Sequence, residues 1–277
     1  MRPQPRLSIV VPAYNEQERL GPTIHSYLRY CRDRGLPAEL IVVDDGSLDS
    51  TSALVEGMSA EYPEIRLIRL AENRGKGYAV RTGVVNARCG LVLFADADAA
   101  TPISELERLE EAIRAGADVA IGSRALVGEG VRVRAKLYRR LIGRAFHVLV
   151  RTLTVRTIKD TQCGFKLFRG VVAHDLFSRM RMNGFSFDVE LLMMAQRRGY
   201  RVAEVPVNWV HQPGSKVNLA VDSMRMARDL FVIRGHHLRG EYNTPHLAPW
   251  INEGGASASD HEESPDTKDM ALTPTRL

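Results

Sequence analysis

The sequence predicts an α/β fold of the doubly wound kind, in which a mostly parallel sheet carries helices on both faces. Between residues 7 and 123, five short runs rich in β-branched residues alternate with stretches of helical pattern. The runs are mostly apolar rather than alternating, as in parallel strands that are covered on both faces. A chain of 277 residues, 44% hydrophobic and 26% charged, is long enough to bury one substantial core. The five predicted strands are 7–11, 40–43, 65–68, 91–94 and 119–121.

Polar motifs follow the first two predicted strands. PAYNE occupies residues 12–16, and DDGS occupies residues 44–47. Ligands of doubly wound sheets bind beyond the carboxyl ends of the strands, where an aromatic ring can stack on a base and carboxylates can bond its polar edge. The alternative is capping by Ser47 or Asp49 of a helix that begins near Ser50. Capping does not need two adjacent acids, so the motifs favour a nucleoside site.

Two further motifs have the composition of phosphate sites. NRGKG at residues 73–77 opens the helix after the third strand, and glycines, cations and a helix N-terminus suit a phosphate. Its spacing is not that of a P-loop. GSR at residues 122–124 ends the fifth strand and offers the guanidinium of Arg124 to a phosphate. For Arg124 taken alone, a surface ion pair is the better interpretation.

The strongest local signal is DAD at residues 96–98, directly after the fourth strand. Carboxylates at i and i+2 that leave a strand point the same way, so Asp96 and Asp98 can share one cation and the diphosphate bound to it. Oxygen ligands favour Mg²⁺ or Mn²⁺. The short pattern also fits a solvated turn, but its position at a strand end favours a metal site.

Two later segments mix basic and apolar positions at helical spacing, namely 134–153 and 219–233. The first has the composition of a helix that docks on an anionic membrane surface, or of a core or dimer-interface helix with a basic outer face. Beyond residue 240 the chain is rich in Gly, Ser, Pro and acids, which predicts disorder. We therefore expect a catalytic domain at 1–239 and an acidic tail at 240–277.

Charge and cysteine content limit the partners. The formal net charge is +5, but six acids and two bases follow residue 251, which leaves +9 on the rest. Such a body attracts anions such as nucleotide phosphates or acidic lipid; a nucleic-acid partner is not expected. Three scattered cysteines indicate neither disulfides nor a zinc site. No signal segment or spanning run is evident, so the expected location is the cytoplasmic face of a membrane, peripherally attached.

The order PAYNE, DDGS, NRGKG, DAD and GSR resembles the nucleotide-sugar half of family-2 glycosyltransferases with the GT-A fold. Downstream, DTQCGFKLF at 160–168, FDVEL at 187–191 and EVPVNW at 204–209 resemble dolichyl-phosphate β-glucosyltransferases in particular. The resemblance covers residues 7–236 and implies an inverting transfer of a hexose, glucose from UDP-glucose, to a polyprenyl or dolichyl phosphate. The implied partners are a nucleotide-sugar donor and a lipid-phosphate acceptor.

The resemblance also implies roles for individual residues. Asp96 and Asp98 would hold the metal, and Asp188 or Glu190 would orient the acceptor or act as a base, unless they cap and pack the helix at 188–198. Arg124 would stabilise the leaving diphosphate. The nucleotide-sugar site would comprise Pro12, Tyr14, Glu16, Asp44, Asp45, Lys76 and Asp96. The acceptor phosphate would be held by Arg124, Arg139, His211, Ser215 and Lys216.

Two departures from the related mannose synthases favour glucose over mannose. Those enzymes have Gln shortly after the D-x-D, where this chain has Ala100 and Thr101, and Arg where this chain has His211. A nucleotidyltransferase is a rival interpretation, but it would need a Gly- and Arg-rich loop after the first strand. A non-catalytic nucleotide-binding protein is another, and it would not need Asp98 or Lys216. Processive synthases are disfavoured because no Q-x-x-R-W occurs.

Overall fold

The computed structural model describes residues 5–128, 130–134, 157–212 and 219–244. Within these ranges all five predicted strands form, each extending at most two residues beyond its prediction at either end. The strands that begin at Leu7, Leu91 and Val119 are buried almost throughout between helices, as parallel strands covered on both faces require, whereas the edge strand that begins at Ile65 buries only Ile65 and Ile68. The strands are β1 (Leu7–Ala13), β2 (Ala38–Asp44), β3 (Ile65–Arg69), β4 (Leu91–Ala95) and β5 (Val119–Ser123).

Two further strands complete a seven-stranded sheet within the described part of the chain. They are β7 (Phe165–Arg169) and β8 (Val202–Pro206), and the strand order is β3-β2-β1-β4-β7-β5-β8. β7 lies between β4 and β5 and is antiparallel to both, whereas the other paired strands are parallel. A short parallel pair, β6 (Val133–Arg134) with β9 (Trp209–Val210), forms a second sheet. The mostly parallel α/β fold is confirmed.

Helices cover both faces of the large sheet. On one face lie α1 (Leu20–Asp33), α2 (Thr51–Glu61) and α4 (Leu106–Arg114). On the other lie α3 (Lys76–Val85), α5 (Gly170–Phe177), α6 (Phe187–Arg197) and α7 (Leu219–Leu238). Because side chains alternate along a strand, Leu93 of β4 enters the first core and its neighbour Phe94 enters the second.

The packed chain continues past residue 239, where the sequence placed the end of the domain. α7 runs five residues beyond the predicted end at 233, and the turn that follows it inserts Tyr242 into the core. A large aromatic ring contributes enough buried area to fix a short terminal segment. Residues 240–244 therefore pack with the domain, the boundary at 239 stays a prediction, and residues 245–277 of the predicted tail lie outside the described residues. No helix in the described ranges is both long and apolar enough to cross a bilayer.

Candidate active site

The carboxyl ends of β1, β2 and β4 meet at one edge of the sheet, beside the amino end of the antiparallel strand β7. Asp96 follows β4, and its amide donates to the carbonyl of Gly164 at 3.0 Å. A Cβ atom at residue 164 would overlap the Asp96 carboxylate. Glycine is required there because the Asp96 carboxylate fills the space that a side chain would take.

Lys76, at the start of α3, reaches the same point. Its Nζ lies 2.7 Å from Oδ1 of Asp96 and 5.4 Å from the centre of the Phe94 ring. Burial opposes the charge on this ammonium, but Asp96 and Asp188 outweigh it and raise the pKa of Lys76. About a quarter of the Lys76 side chain and a third of the Asp96 side chain remain exposed. A fixed positive charge therefore stands beside the strand-end carboxylates.

Asp98 lies two residues on, in a turn whose next residue, Ala99, has a φ of 49°. Its Oδ1 accepts the Ala100 amide at 3.0 Å. Burial, and then the charge of Asp96, raise the pKa of Asp98. No group of three or more His, Cys, Asp and Glu side chains able to hold a metal occurs in the described ranges. The two carboxylates repel each other and are partly desolvated, so they could hold a divalent cation together with oxygen atoms of a diphosphate.

Asp45 holds the loop at 73–77 by hydrogen bonds to its backbone. Its Oδ1 accepts the amide of Arg74 at 2.8 Å, and its Oδ2 accepts the amide of Gly75 at 2.9 Å. Burial raises the pKa of Asp45, and these two amides oppose that shift. Gly75 has a φ of 98°, which favours glycine. The second acid of DDGS thus fixes the loop that precedes Lys76.

Asp44 is fully buried beneath the turn after β2. Its Oδ1 accepts the amide of Ser47 at 3.0 Å, and its Oδ2 accepts the hydroxyl of Ser52. Asp49 caps the start of α2 by accepting the Thr51 amide at 2.9 Å. The capping alternative therefore applies to Asp49, whereas Asp44 shapes the turn in front of the helix.

The loops after β1 and β2 are joined by hydrogen bonds. Asn15, with a φ of 52°, donates its amide to Ser47 Oγ at 2.8 Å and accepts the Leu48 amide at 2.7 Å. Beside it, Glu16 is half-buried and forms a bidentate ion pair with Arg19 at 2.6 and 2.8 Å. Among the other predicted nucleoside contacts, Pro12 is buried in β1 and Tyr14 is half-buried in the loop.

Asp188, at the start of α6, forms a buried ion pair. Its Oδ1 accepts the ammonium of Lys166 in β7 at 2.6 Å, and the same ammonium donates to the carbonyl of Cys163 at 2.5 Å. Burial raises the pKa of Asp188, and Lys166 and Lys76 oppose that shift. The ammonium groups of Lys166 and Lys76 both contact the Phe94 ring. Asp188 therefore lies one side chain away from the Asp96–Lys76 pair.

Glu190 is fully buried and accepts hydrogen bonds at both carboxylate oxygens. The donors are the amides of Arg181 and Met182 and the hydroxyl of Tyr242. This geometry matches the packing alternative that the sequence left open for Glu190.

Arg124 forms a bidentate ion pair with Asp160, with Nε–Oδ2 and Nη2–Oδ1 distances of 2.7 and 2.8 Å. Burial opposes its charge, but Asp160 raises the pKa of Arg124. The guanidinium lies 5.5 Å from the centre of the Trp209 ring, and His211 stacks on the same ring with centres 6.1 Å apart. Two predicted acceptor contacts, Arg124 and His211, are therefore brought together by a tryptophan.

Several residues at this edge of the sheet were not predicted individually from the sequence: Asp160, Cys163, Lys166, Glu204 and Trp209. Asp160 holds Arg124 and is itself held by Glu204, whose Oε1 accepts the Asp160 amide at 2.8 Å. All five lie within the motifs at 160–168 and 204–209, and their position in those motifs was the sequence feature that could have identified them. The remaining predicted acceptor contacts, Arg139, Ser215 and Lys216, lie outside the described residues.

The chain is similar in sequence to several known proteins. A dolichyl-phosphate beta-glucosyltransferase from Saccharomyces cerevisiae is 38% identical over 254 residues, which cover 85% of this chain and 76% of that protein. A protein of the same name from Homo sapiens is 39% identical over 253 residues, which cover 87% of this chain and 78% of that protein.

Solved structures share the fold at lower identity. Glucosyl-3-phosphoglycerate synthase from Mycobacterium tuberculosis, in complex with uridine diphosphate, has a TM-score of 0.61 and 18% identity, over 87% of this chain and 81% of that chain. Mannosyl-3-phosphoglycerate synthase from Rubrobacter xylanophilus has a TM-score of 0.61 and 18% identity, over 88% and 77%. A family model described as glycosyl transferase family 2 matches residues 8–177, and the chain belongs to that family.

Proposed function

We propose that this chain transfers glucose from UDP-glucose to a polyprenyl or dolichyl phosphate and inverts the anomeric centre, which gives a β-linked lipid phosphosugar. The observation that carries the proposal is the strand-end pair of Asp96 and Asp98 with Lys76 fixed against it. The identity of 38–39% to dolichyl-phosphate beta-glucosyltransferases supports this acceptor class.

The donor site extends from the joined loops after β1 and β2 to the start of α3. Tyr14 and Glu16 lie in the first of these loops, and Asp44 and Asp45 hold the backbone on which the nucleoside would rest. The diphosphate would lie beside the start of α3, where the ammonium of Lys76 provides positive charge. Residues from three consecutive strand ends thus line one donor molecule.

Departure of the nucleoside diphosphate is the demanding step. Mg²⁺ or Mn²⁺ held by Asp96 and Asp98 would supply charge stabilisation to the diphosphate as the bond to glucose breaks. Lys76 contributes a fixed positive charge at the same place, and it needs no reorganisation because Asp96 and the Phe94 ring already hold it.

The acceptor needs little activation. A phosphate monoester has a second pKa of about 6, so its oxygen is already ionised at neutral pH and can attack without a strong base. Arg124, His211, Arg139, Ser215 and Lys216 would bind this phosphate. Since the carboxylates of Asp188 and Glu190 both have buried partners, we assign them to positioning rather than to proton transfer.

The lipid tail requires that the protein work at a membrane surface, and we place it on the cytoplasmic face, attached peripherally. Exposing each CH₂ group to water costs about 0.8 kcal/mol. Besides the basic segment at 134–153, the outer face of α7 carries exposed apolar side chains seven residues apart, Met224, Phe231 and Leu238. Arg228 lies on the same face and is exposed. An apolar stripe beside basic residues suits an anionic bilayer surface.

A panel of donors and acceptors tests the proposal. Purified protein with Mn²⁺ should convert UDP-glucose and a short polyprenyl phosphate to product much faster than it uses GDP-mannose. Phosphoglyceric acid, which is bound in a crystal structure of glucosyl-3-phosphoglycerate synthase, serves as the soluble alternative acceptor. Preference for GDP-mannose would contradict glucose as the sugar, and preference for phosphoglycerate would contradict a lipid phosphate as the acceptor. If no donor is hydrolysed and no sugar is transferred to either acceptor, the enzymatic interpretation is wrong.

A further inference from the structure

Glu190 lies at the centre of a buried group of hydrogen bonds that connects two distant parts of the chain. Its Oε2 accepts the Met182 amide at 2.9 Å, and its Oε1 accepts the Arg181 amide at 3.0 Å. Oε1 also accepts the hydroxyl of Tyr242 at 2.9 Å. Arg81 of α3 is the nearby cation, and burial raises the pKa of Glu190 to about 7. The three donors favour the ionised carboxylate and oppose that shift.

The loop held by Glu190 rests on the N-terminus of α3. The Tyr78 amide, one of the amides left without a partner inside the helix, donates to the carbonyl of Asn183 at 3.2 Å. A Cβ atom on Gly75 would lie 2.6 Å from the Asn183 carbonyl, and one on Gly77 would lie 2.6 Å from the Met182 carbonyl. The loop thus fixes the helix start that carries Lys76.

The other side of the group is the turn after α7. Arg179 donates to the carbonyl of Asn243 at 2.6 Å, and Arg181 donates to the carbonyl of Glu241 at 3.2 Å. Tyr242 is 6% exposed and packs in the core. The same loop therefore contacts α3 on one side and the C-terminal turn on the other.

We propose that Glu190 and Tyr242 are positioning residues that hold the 181–184 loop against the start of α3 and thereby set the affinity for the donor diphosphate. The inference deepens the proposed function and rests on it for the identity of the ligand. Neither side chain touches the donor. Their effect passes through the backbone carbonyls of Met182 and Asn183, which contact the glycines on either side of Lys76.

Loss of the Tyr242 hydroxyl would leave a buried carboxylate one donor short, which favours opening of the loop that supplies the other two. Tyr242→Phe keeps the ring and its packing, so the variant is expected to fold. Tyr200→Phe is a matched control because Tyr200 donates to Asp175 at 2.8 Å, also a hydrogen bond from a tyrosine to a carboxylate. In Tyr200→Phe, Asp175 would still accept hydrogen bonds from the guanidinium groups of Arg179 and Arg198.

The first measurement is amide hydrogen exchange in the protein without ligand. In Tyr242→Phe, exchange should accelerate in the segments 73–80 and 178–186, whereas in Tyr200→Phe these segments should exchange as in the parent. Glu190→Gln should show the same pattern as Tyr242→Phe. Parent-like exchange in both segments of folded Tyr242→Phe would overturn the inference, whether or not the protein is a glucosyltransferase.

The second measurement is the affinity for UDP in the presence of Mn²⁺, by titration calorimetry. Tyr242→Phe should bind UDP about tenfold more weakly, equivalent to ~1.4 kcal/mol, and Tyr200→Phe should bind within about twofold of the parent. Unchanged affinity in Tyr242→Phe, or an equal loss in both variants, contradicts a positioning role. A parent protein that binds no UDP contradicts the proposed function instead, and the exchange pattern then still decides whether the loop is coupled to α3.

Discussion

At the scale of single residues, the Asp96 carboxylate occupies a space that exists only because residue 164 lacks a side chain. Its carboxylate lies where a Cβ atom would be, and Lys76 holds it from the other side. The position of this acid is therefore set by two residues that are distant in sequence. A small change at Gly164 should act on chemistry more than on folding.

Gly164→Ala should lower kcat by about 10²-fold or more, because displacement of a positioned group by 1 Å can cost that much. The thermal midpoint should fall by only a few degrees. Gly90→Ala is the control, since a Cβ there meets nothing within 4 Å. Steady-state rates and thermal melts of both variants check this, and a Gly164→Ala enzyme with parent-like kcat would contradict the assigned position of Asp96.

The pH dependence of stability gives a second test at this scale. Burial raises the pKa of Glu190 to about 7, above its ordinary value of 4.5. Between these values the folded protein binds more protons than the unfolded chain, so the free energy of unfolding decreases as pH rises through this window. Glu190→Gln removes this contribution. In that variant the free energy of unfolding should decrease less steeply with pH, by up to ~1.4 kcal/mol per pH unit.

Denaturant titrations at pH 5, 6 and 7 measure both slopes. Other groups that titrate in this range are present in both proteins, so the difference between the slopes isolates Glu190. Equal slopes in the parent and in Glu190→Gln would show that the pKa of Glu190 is not raised in the folded protein.

The sequence predicted the types of residue at the site better than the directions of their side chains. Asp44 and Asp45 were expected at the nucleoside, and that role stays a prediction; in the structure both carboxylates accept backbone amides, one in its own turn and one in the loop before Lys76. Which group a side chain will bond depends on contacts between loops that no local pattern encodes. Asp96, Asp98 and Lys76 could be predicted because a strand end and a helix start fix them locally.

At the scale of elements, the five parallel strands could be predicted because each is a local apolar run. β7 was missed as a strand, although its sequence was noted as a motif. It pairs antiparallel between β4 and β5, and Lys166 within it interrupts the apolar pattern. That lysine is tolerated because Asp188 and the Cys163 carbonyl satisfy its ammonium. The partner lies 22 residues away, in a helix, so the sequence of the strand alone does not show how the charge of Lys166 is satisfied.

Lys166→Met should destabilise the protein by about 3–5 kcal/mol, because Asp188 would be left as a buried charge without its partner. The double variant Lys166→Met/Asp188→Leu should regain most of that loss, since two apolar side chains can replace a buried ion pair. Chemical denaturation measures both. A single variant as stable as the parent would show that the Lys166–Asp188 pair does not hold β7 to α6.

At the scale of the whole molecule, charge is divided between a basic body and an acidic tail. We expect the protein to sediment with anionic vesicles at low salt and to be released at high salt, because electrostatic docking weakens as ionic strength rises. The variant Arg139→Glu/Arg140→Glu/Arg144→Glu, checked to be folded, should lose this binding. Neutral vesicles serve as the control, and unchanged binding by the variant would show that the segment at 134–153 is not the membrane contact.

In the proposed reaction, metal-assisted departure of UDP, organised by Asp96, Asp98 and Lys76, delivers glucose to a lipid phosphate. The most direct test is transfer of labelled glucose from UDP-glucose into a lipid-soluble product, with the parent protein and with Asp98→Asn, in Mn²⁺ and in excess chelator. We expect β-linked product from the parent in Mn²⁺ alone, and a loss of at least about 10³-fold in Asp98→Asn, which corresponds to several kcal/mol of barrier. Full activity in excess chelator would contradict the metal-assisted step, and product of α configuration would contradict inversion.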